Sequence, residues 1–197
     1  MSQPRIRVAA YVLRHRAARP ELLVFDHVGL PEAGTQVPAG GVRPGESFEE
    51  AALREVAEET GLRTATAVRE LAVEDKPHPE TGQPRRTTFL LLRAPADTPD
   101  AWRHHVTGTD TDAGLTFACR FLPLPLARPL ADDQDAWLGR VDPRLATAPG
   151  GRAVGAGGRS GVRARPWARQ SAVQCFCASL RTVRPVNSSR MAMFSGA

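Results

Sequence analysis

Residues 40–62, GGVRPGESFEEAALREVAEETGL, gather six glutamates into 23 positions. Ser47 followed by Glu50 forms a capping box, and Gly61 is the residue type that commonly ends a helix, so the segment predicts a helix between them. Like charges three and four residues apart on a helix repel one another. Because the cluster is costly by itself, we expect the chain to hold this helix where a cation offsets the charge.

One face of the predicted helix carries the chemistry. At 3.6 residues per turn, Glu55, Glu58 and Glu59 share that face and predict an exposed patch of carboxylates. Arg54 lies within reach of a carboxylate and can hold its rotamer. Small and apolar residues lie away from the patch and suit packing on a sheet: Ala51, Ala52 and Val56. Oxygen-rich patches suit Mg²⁺, whereas a merely solvated acidic face is the alternative for the helix taken alone.

The loop before the helix, PAGGVRPGE, adds a second part to the site. Its glycines let backbone carbonyls approach a metal and let the chain turn sharply into the helix. An ion held by Glu55 and Glu59 could take its other oxygens from a loop carbonyl, from water and from a substrate phosphate. Such an arrangement is suited to hydrolysis of a phosphoanhydride.

The remaining pattern predicts an α/β sandwich with a mixed sheet over about residues 3–143. Apolar and alternating stretches predict strands over 5–14, 21–28, 62–74, 85–94 and 114–124. A short extended piece is expected at 35–38, and 100–108 is ambiguous. Acidic cap residues and helical spacing predict a closing helix over 130–141.

Positive charge is concentrated at the C-terminal end. Of the 26 basic residues nine lie in 144–197, which hold no acid, and the 17 before them face all 21 acids, so residues 1–143 carry a net charge of −4. The body is therefore not the basic protein that a pI near 10 suggests. Segment 144–197, rich in Arg, Gly and Ala, is predicted to be a disordered second region. A basic arm for nucleic acid or membrane, a solvated tail and an artefactual terminus are alternatives for it.

Cysteine usage and hydropathy bear on location. The chain has three cysteines, an odd count without framework spacing, which favours a reducing cytoplasm: Cys119, Cys175 and Cys177. No apolar run approaches the length that crosses a bilayer, and the N-terminus lacks a signal-peptide pattern. We therefore expect a cytoplasmic protein without a membrane partner.

The segment from Gly40 to Leu62 resembles a known family motif. Gly40, five residues, Glu46, seven residues and then REVAEETGL match all nine fixed positions of the Nudix box. The resemblance implies a Nudix hydrolase with an α/β/α sandwich fold. It also implies Mg²⁺ or Mn²⁺ as cofactor and a small nucleotide as substrate, in which a nucleoside diphosphate linked to another moiety is cleaved by water.

The resemblance also implies roles for individual residues. Glu55, Glu58 and Glu59 bind the metal, with Glu58 or Glu59 also a base, and the carbonyl of Ala39 is a further ligand. Arg54 orients the acids. Structural support comes from the other fixed positions: Gly40, Glu46 and Gly61. A further catalytic acid is expected outside the box, with Asp112 and Asp110 as candidates and two alternatives behind them: Glu74 and Asp75.

Substrate and partners are less constrained by the pattern. The style of the box and Pro77 favour an ADP-ribose or nucleotide-sugar substrate. Four side chains could contact phosphates: Arg85, Arg86, His104 and His105. Trp102 or Phe117 could stack on a base. The alternative for each is an ordinary surface charge or a packed aromatic ring. Alternatives to the enzyme are a nucleotide-binding sensor with little turnover and an RNA-directed, decapping-like hydrolase that uses the basic tail. Nucleic acid is expected to involve the tail only. The oligomeric state is left open, with a homodimer as one option.

Overall fold

A seven-stranded mixed sheet forms the centre of the protein. The structure, a computed structural model, describes residues 3–79, 81–106 and 114–146. Six strands follow one another in the order β4-β5-β1-β2-β7-β6, and β3 pairs with β1 beside that path. Only the β1–β5 pair is parallel among the pairings described. The strands are β1 (Arg5–Arg16), β2 (Arg19–His27), β3 (Ala39–Gly41), β4 (Thr66–Asp75), β5 (Arg85–Arg93), β6 (Ala101–His105) and β7 (Thr116–Pro123).

Strand β1 is buried on both of its faces. Side chains alternate across a strand, so successive residues of β1 contribute to opposite sides. Val8 and Val12 belong to the core cluster that also contains Val56 of the helix. Ala9 and Tyr11 belong to a second cluster on the other side. The sheet is therefore covered on both sides, and the predicted α/β class with a mixed sheet is confirmed.

The one α-helix of the described residues, α1 (Phe48–Thr60), covers the first side. Its ends are those that the sequence predicts. The Ser47 hydroxyl accepts from the amide of Glu50 at 3.2 Å, and the Glu50 carboxylate accepts from the Ser47 amide at 2.8 Å. Gly61 follows the helix in the left-handed conformation, with φ of 75°. The apolar face of α1 is fully buried: Ala51, Ala52 and Val56.

The second side is covered by short 3₁₀ turns rather than by the predicted closing helix over 130–141, which is wrong. Asp132 and Asp133 both adopt positive φ, of 53° and 55°. A right-handed helix cannot contain such residues. Lys76 fixes them, because its Nζ lies 3.0 Å from an Asp132 carboxylate oxygen and 2.8 Å from one of Asp133. The turns are Ala131–Asp133, Leu138–Arg140 and Pro143–Leu145.

The other predicted elements differ from the structure mainly at their ends. The ambiguous 100–108 segment contains strand β6. Within the extended piece expected at 35–38, Gln36 forms an isolated bridge with Phe25, and strand β3 begins after it, at Ala39. Most of the predicted tail lies outside the described residues. No helix within the described part of the chain is long and apolar enough to cross a membrane.

Candidate active site

The site is built where α1 passes the short strand β3. β3 pairs with β1 in antiparallel register, with Val8 opposite Gly40. The Ala39 amide donates to Oε2 of Glu59 at 3.0 Å. Glu59 and Glu55 are 6% and 4% exposed, so the helix presses two carboxylates against the backbone of β3.

Gly40 makes this close approach possible. A Cβ at position 40 would lie 2.0 Å from Oε1 and 2.1 Å from Cδ of Glu55. Real Cβ atoms do not approach other atoms so closely, so any side chain there displaces the carboxylate. Gly40, the first glycine of the motif, therefore leaves the space in which the Glu55 carboxylate lies.

Arg54 gathers the acids from the side. Its Nε and Nη2 donate to the two Glu46 oxygens at 2.7 and 2.9 Å, a bidentate pair. Its Nη1 donates to Glu55 at 2.7 Å and to Glu58 at 3.2 Å. Its Nη2 also donates to the Gly41 carbonyl at 2.7 Å, which ties the helix to β3. The bonds from Arg54 lower the pKa of Glu46, and the bonds to Glu46 and Glu55 raise the pKa of Arg54.

A second arginine reaches the same acids from the loop. Arg43 Nη2 lies 3.1 Å from Oε1 of Glu58, and the Arg43 amide donates to Glu46 at 3.0 Å. The side chain of Glu58 is 21% exposed against 5% for Glu55. Glu58 is thus the acid of this group that solvent reaches most easily.

The acidic face of α1 is more buried than the exposed patch that the helix pattern predicts. Glu55 and Glu59 are buried because β3 lies against them, and Arg43, Arg54 and the Ala39 amide draw the carboxylates to different partners. Among the described residues, no three His, Cys, Asp or Glu side chains are arranged to hold a metal ion. The donors nevertheless fit a hard divalent cation, because three carboxylates lie beside β3, close to the Ala39 carbonyl and to the space that Gly40 leaves.

The carbonyl of Ala39 already has one partner. Arg7 Nη2 donates to it at 3.2 Å from the opposite side of β3. Burial, followed by the neighbouring Arg85 and Arg5, lowers the pKa of Arg7, while Glu59 and Asp132 oppose that shift. A cationic side chain therefore borders the group of glutamates.

The family of this chain follows from its similarity to known proteins. The family profile described as NUDIX domain matches residues 4–145. The chain belongs to the Nudix family. No curated protein matches it significantly.

Solved structures are similar to this chain, and one of them shares its fold at a TM-score above 0.5. The NUDIX domain of Shewanella oneidensis NrtR, complexed with ADP ribose, aligns at a TM-score of 0.53 and 17% identity over 74% of this chain and 90% of that one. A UDP-X diphosphatase aligns at 0.48 and 18%, over 68% and 58%. A MutT/nudix family protein from Enterococcus faecalis aligns at 0.46 and 22%, over 63% and 45%. This chain thus spans only about half the length of the last two.

The positions of the Nudix box are brought together around Arg54 and β3. The roles of Glu55, Glu58, Glu59 and Ala39 as metal ligands stay predictions. Asp112 and its alternative Asp110 lie outside the described residues. Asp75 forms an ion pair with Arg86 at 2.7 Å on the surface.

Several side chains considered for substrate contacts have partners within the fold. Trp102 Nε1 donates to the carbonyl of Thr60 at 2.7 Å, and His104 Nε2 lies 3.0 Å from the carbonyl of Glu58. Both residues of β6 therefore satisfy carbonyls at the end of α1. Phe117 is fully buried and stacks on Phe25 with ring centroids 4.2 Å apart.

Arg5 and Arg7 were not predicted from the sequence as neighbours of the site, whereas Arg85 was among the candidates for phosphate contact. Arg5 and Arg7 form an R-x-R pattern at the start of β1, and this alternation was the available signal that both side chains share a face. No sequence signal places Arg85 and Asp132 beside them, since that contact depends on strand register and on a turn far along the chain.

Proposed function

We propose that this Nudix protein is a Mg²⁺-dependent pyrophosphohydrolase, with Mn²⁺ as an alternative ion. Its substrate is a nucleoside diphosphate linked to another moiety, of the ADP-ribose or nucleotide-sugar type. One observation carries the proposal: Arg54 and the edge of β3 gather Glu55, Glu58 and Glu59 beside a carbonyl. A face that was merely solvated would not bury two of its carboxylates.

Metal binding in this proposal uses the carboxylates of Glu55, Glu58 and Glu59 and the carbonyl of Ala39. The ion would neutralise phosphate charge and lower the pKa of a water molecule. Arg54 would hold the acids in place when their charges crowd together, since it contacts Glu46, Glu55 and Glu58 at once.

Glu58 is the acid best placed to hold the proton of the attacking water. It is more accessible than Glu55 and lies on the helix face that the predicted ligands share. The water oxygen forms a bond to phosphorus, the anhydride P–O bond breaks, and the departing phosphate keeps the electron pair. Asp112, the acid predicted outside the box, is the alternative proton acceptor.

The substrate class rests on two supports. The box has the style of the ADP-ribose and nucleotide-sugar branch, and the NUDIX domain of NrtR, which shares this fold, holds ADP ribose. A cytoplasmic location stays a prediction, and a homodimer is one option for the oligomeric state.

A substrate panel tests the function. Purified full-length protein is incubated with Mg²⁺ and each of ADP-ribose, nucleotide sugars, dinucleoside polyphosphates, deoxynucleoside triphosphates, coenzyme A and capped RNA, and product formation is followed. Hydrolysis of at least one diphosphate-linked nucleotide, abolished by EDTA, is the expected result. Tight binding of a member without turnover of any would instead identify a nucleotide sensor.

A further inference from the structure

Three arginines stand together on the face of the sheet opposite α1. Arg5 and Arg7 are two residues apart on β1 and so point to the same face. Arg85 is the register partner of Arg5 on the parallel strand β5. Arg7 is the register partner of Thr87, two residues from Arg85, so the three arginines occupy neighbouring positions on one face of the sheet. Gly41 leaves room beside them, because a Cβ there would meet only the Arg5 guanidinium, at 3.6 Å.

Arg7 connects this group to the glutamates. Its guanidinium bonds to the Ala39 carbonyl at 3.2 Å, and the Ala39 amide bonds to Glu59 at 3.0 Å. Within the described chain, Ala39 is the one hydrogen-bond acceptor of Arg7. A guanidinium has five N–H donors, so most of those of Arg7 are left for another acceptor.

Arg85 is buried and incompletely satisfied. It is 7% exposed, its Nη2 lies 2.6 Å from Asp132, and its Nε has no hydrogen-bond partner in the part of the chain that the structure describes. Lys76 shares the same aspartate at 3.0 Å. Buried polar groups are normally paired, so an unpaired donor among like charges needs an explanation.

Arg85 shares its acidic partner. Asp132 also pairs with Lys76 at 3.0 Å, and Lys76 contacts Asp133 at 2.8 Å. A buried guanidinium that shares a carboxylate and keeps an unpaired donor is costly, so an anion beside it would stabilise it.

We propose that Arg5, Arg7 and Arg85 form the binding site for the diphosphate group of the substrate. The inference rests on the proposed function and deepens it, since it names the side chains that receive the anionic part. Guanidinium forks match phosphate oxygens in a bidentate way. Asp132 and Lys76 hold Arg85 in place, and the contact of Arg7 with Ala39 puts the diphosphate next to the glutamates.

Inorganic pyrophosphate titrated into the full-length protein in EDTA tests the site without catalysis. The probe has the group at issue and no base or sugar, and calorimetry gives its affinity. Arg7→Gln and Arg5→Gln are the test variants, and Arg86→Gln is the matched control. Arg86 is next to Arg85 on β5, but its side chain lies on the surface in a pair with Asp75. All variants keep the nine arginines of 144–197.

Binding by the wild type is expected, weakened about tenfold or more by Arg7→Gln, because one charge-assisted hydrogen bond is lost. Arg5→Gln should weaken it too, and since Arg5 is exposed that variant is expected to keep the native fold. Arg86→Gln should bind as the wild type does. Equal affinity in all four proteins, or no binding by the wild type, overturns the site. Weakened pyrophosphate binding combined with no turnover of the substrate panel would keep the site and refute the hydrolase.

Discussion

A single missing side chain at Gly40 decides whether Glu55 reaches β3. The carboxylate occupies the volume that a Cβ would fill, at 2.0 Å from its ideal position. Gly41, the next residue, has only ordinary contact at 3.6 Å. Neighbouring glycines of one strand thus serve different purposes, and substitution separates them.

Gly40→Ala is expected to destabilise the protein and Gly41→Ala much less. Overpacking at a tight contact costs about 1–3 kcal/mol. Urea denaturation of the two variants and the wild type gives the free energies of unfolding. Equal values for Gly40→Ala and Gly41→Ala would mean that Glu55 does not lie against Gly40.

The Glu46–Arg54 pair gives stability that depends on pH. Hydrogen bonds from Arg54 lower the pKa of Glu46 in the folded protein from its ordinary value of 4.5. The contribution of the ionised form is therefore complete above the unfolded pKa and is lost as the pH falls through the folded one.

Glu46→Gln should lower the free energy of unfolding by about 1–2 kcal/mol at pH 7, since it removes bonds to a charged partner. The difference from the wild type should shrink as the pH falls below about 4.5. Urea denaturation at pH 7 and at a pH below about 4.5 measures this difference in the free energy of unfolding. As a control, Glu49→Gln should change stability by less than about 0.5 kcal/mol at pH 7, because Glu49 is exposed on the same helix. A difference for Glu46→Gln that stayed constant with pH would contradict the pair.

Among the elements, β6 and the end of α1 are joined closely. Gly61 ends the helix with φ of 75°, and a Cβ there would lie 2.7 Å from Nδ1 of His104. The same histidine contacts the Glu58 carbonyl through Nε2 at 3.0 Å. The strand therefore fixes the turn of helix that contains two of the predicted metal ligands.

Gly61→Ala should destabilise the protein for two reasons, the unfavourable φ and the contact with His104. The first costs about 1 kcal/mol and the second adds to it. In the background of His104→Ala the second part disappears, so the cost of Gly61→Ala should become smaller. Thermal unfolding of the four proteins of this cycle measures the coupling, and strictly additive effects would show that the side chain of His104 does not meet Gly61.

Local signals explain which elements the sequence predicts well. Ser47, Glu50 and Gly61 act within a few residues, so the ends of α1 follow from the sequence. The segment 130–141 instead depends on distant partners. Lys76 and Arg85 hold Asp132 in a left-handed conformation, and the hydroxyl of Tyr11 donates to the Gln134 carbonyl. Such contacts override helical spacing, and no local pattern announces them.

Some features of the candidate site likewise follow from local sequence, and others depend on distant contacts. Residues of the box share one loop and helix, so their association around Arg54 follows from spacing. The burial of Glu55 and Glu59 does not, because it requires β3 to pair with β1. Arg7 reaches Ala39 through that pairing as well, at a sequence distance of 32 residues.

In the protein as a whole, the 3₁₀ turn Pro143–Leu145 packs as part of the domain. Leu145 is 8% exposed, and its amide donates to the Asp142 carbonyl at 2.8 Å. The boundary predicted after residue 143 would therefore remove a buried leucine. We propose that the domain extends through Ala146.

Truncation after Ala146 should leave thermal stability and turnover unchanged. Truncation after Pro143 should lower the free energy of unfolding by about 1.5–3 kcal/mol, the contribution of a buried leucine. Thermal and urea unfolding of both truncated proteins test the boundary, and equal stability would contradict it.

The positive charge of 144–197 allows a separate prediction about RNA. If that segment is an RNA arm, RNA binding disappears in both truncated proteins, while turnover persists in the one that ends at Ala146.

Mg²⁺-dependent turnover of Glu59→Gln, compared with Glu49→Gln, tests whether the carboxylates beside β3 hold the ion used in hydrolysis. Both variants remove one carboxylate from α1, but only Glu59 lies against Ala39. Turnover by Glu59→Gln should fall at least about a hundredfold, since metal stabilisation of the transition state is worth several kcal/mol. Glu49→Gln should retain the wild-type rate. A near-normal rate for Glu59→Gln would mean that Glu59 does not hold the ion.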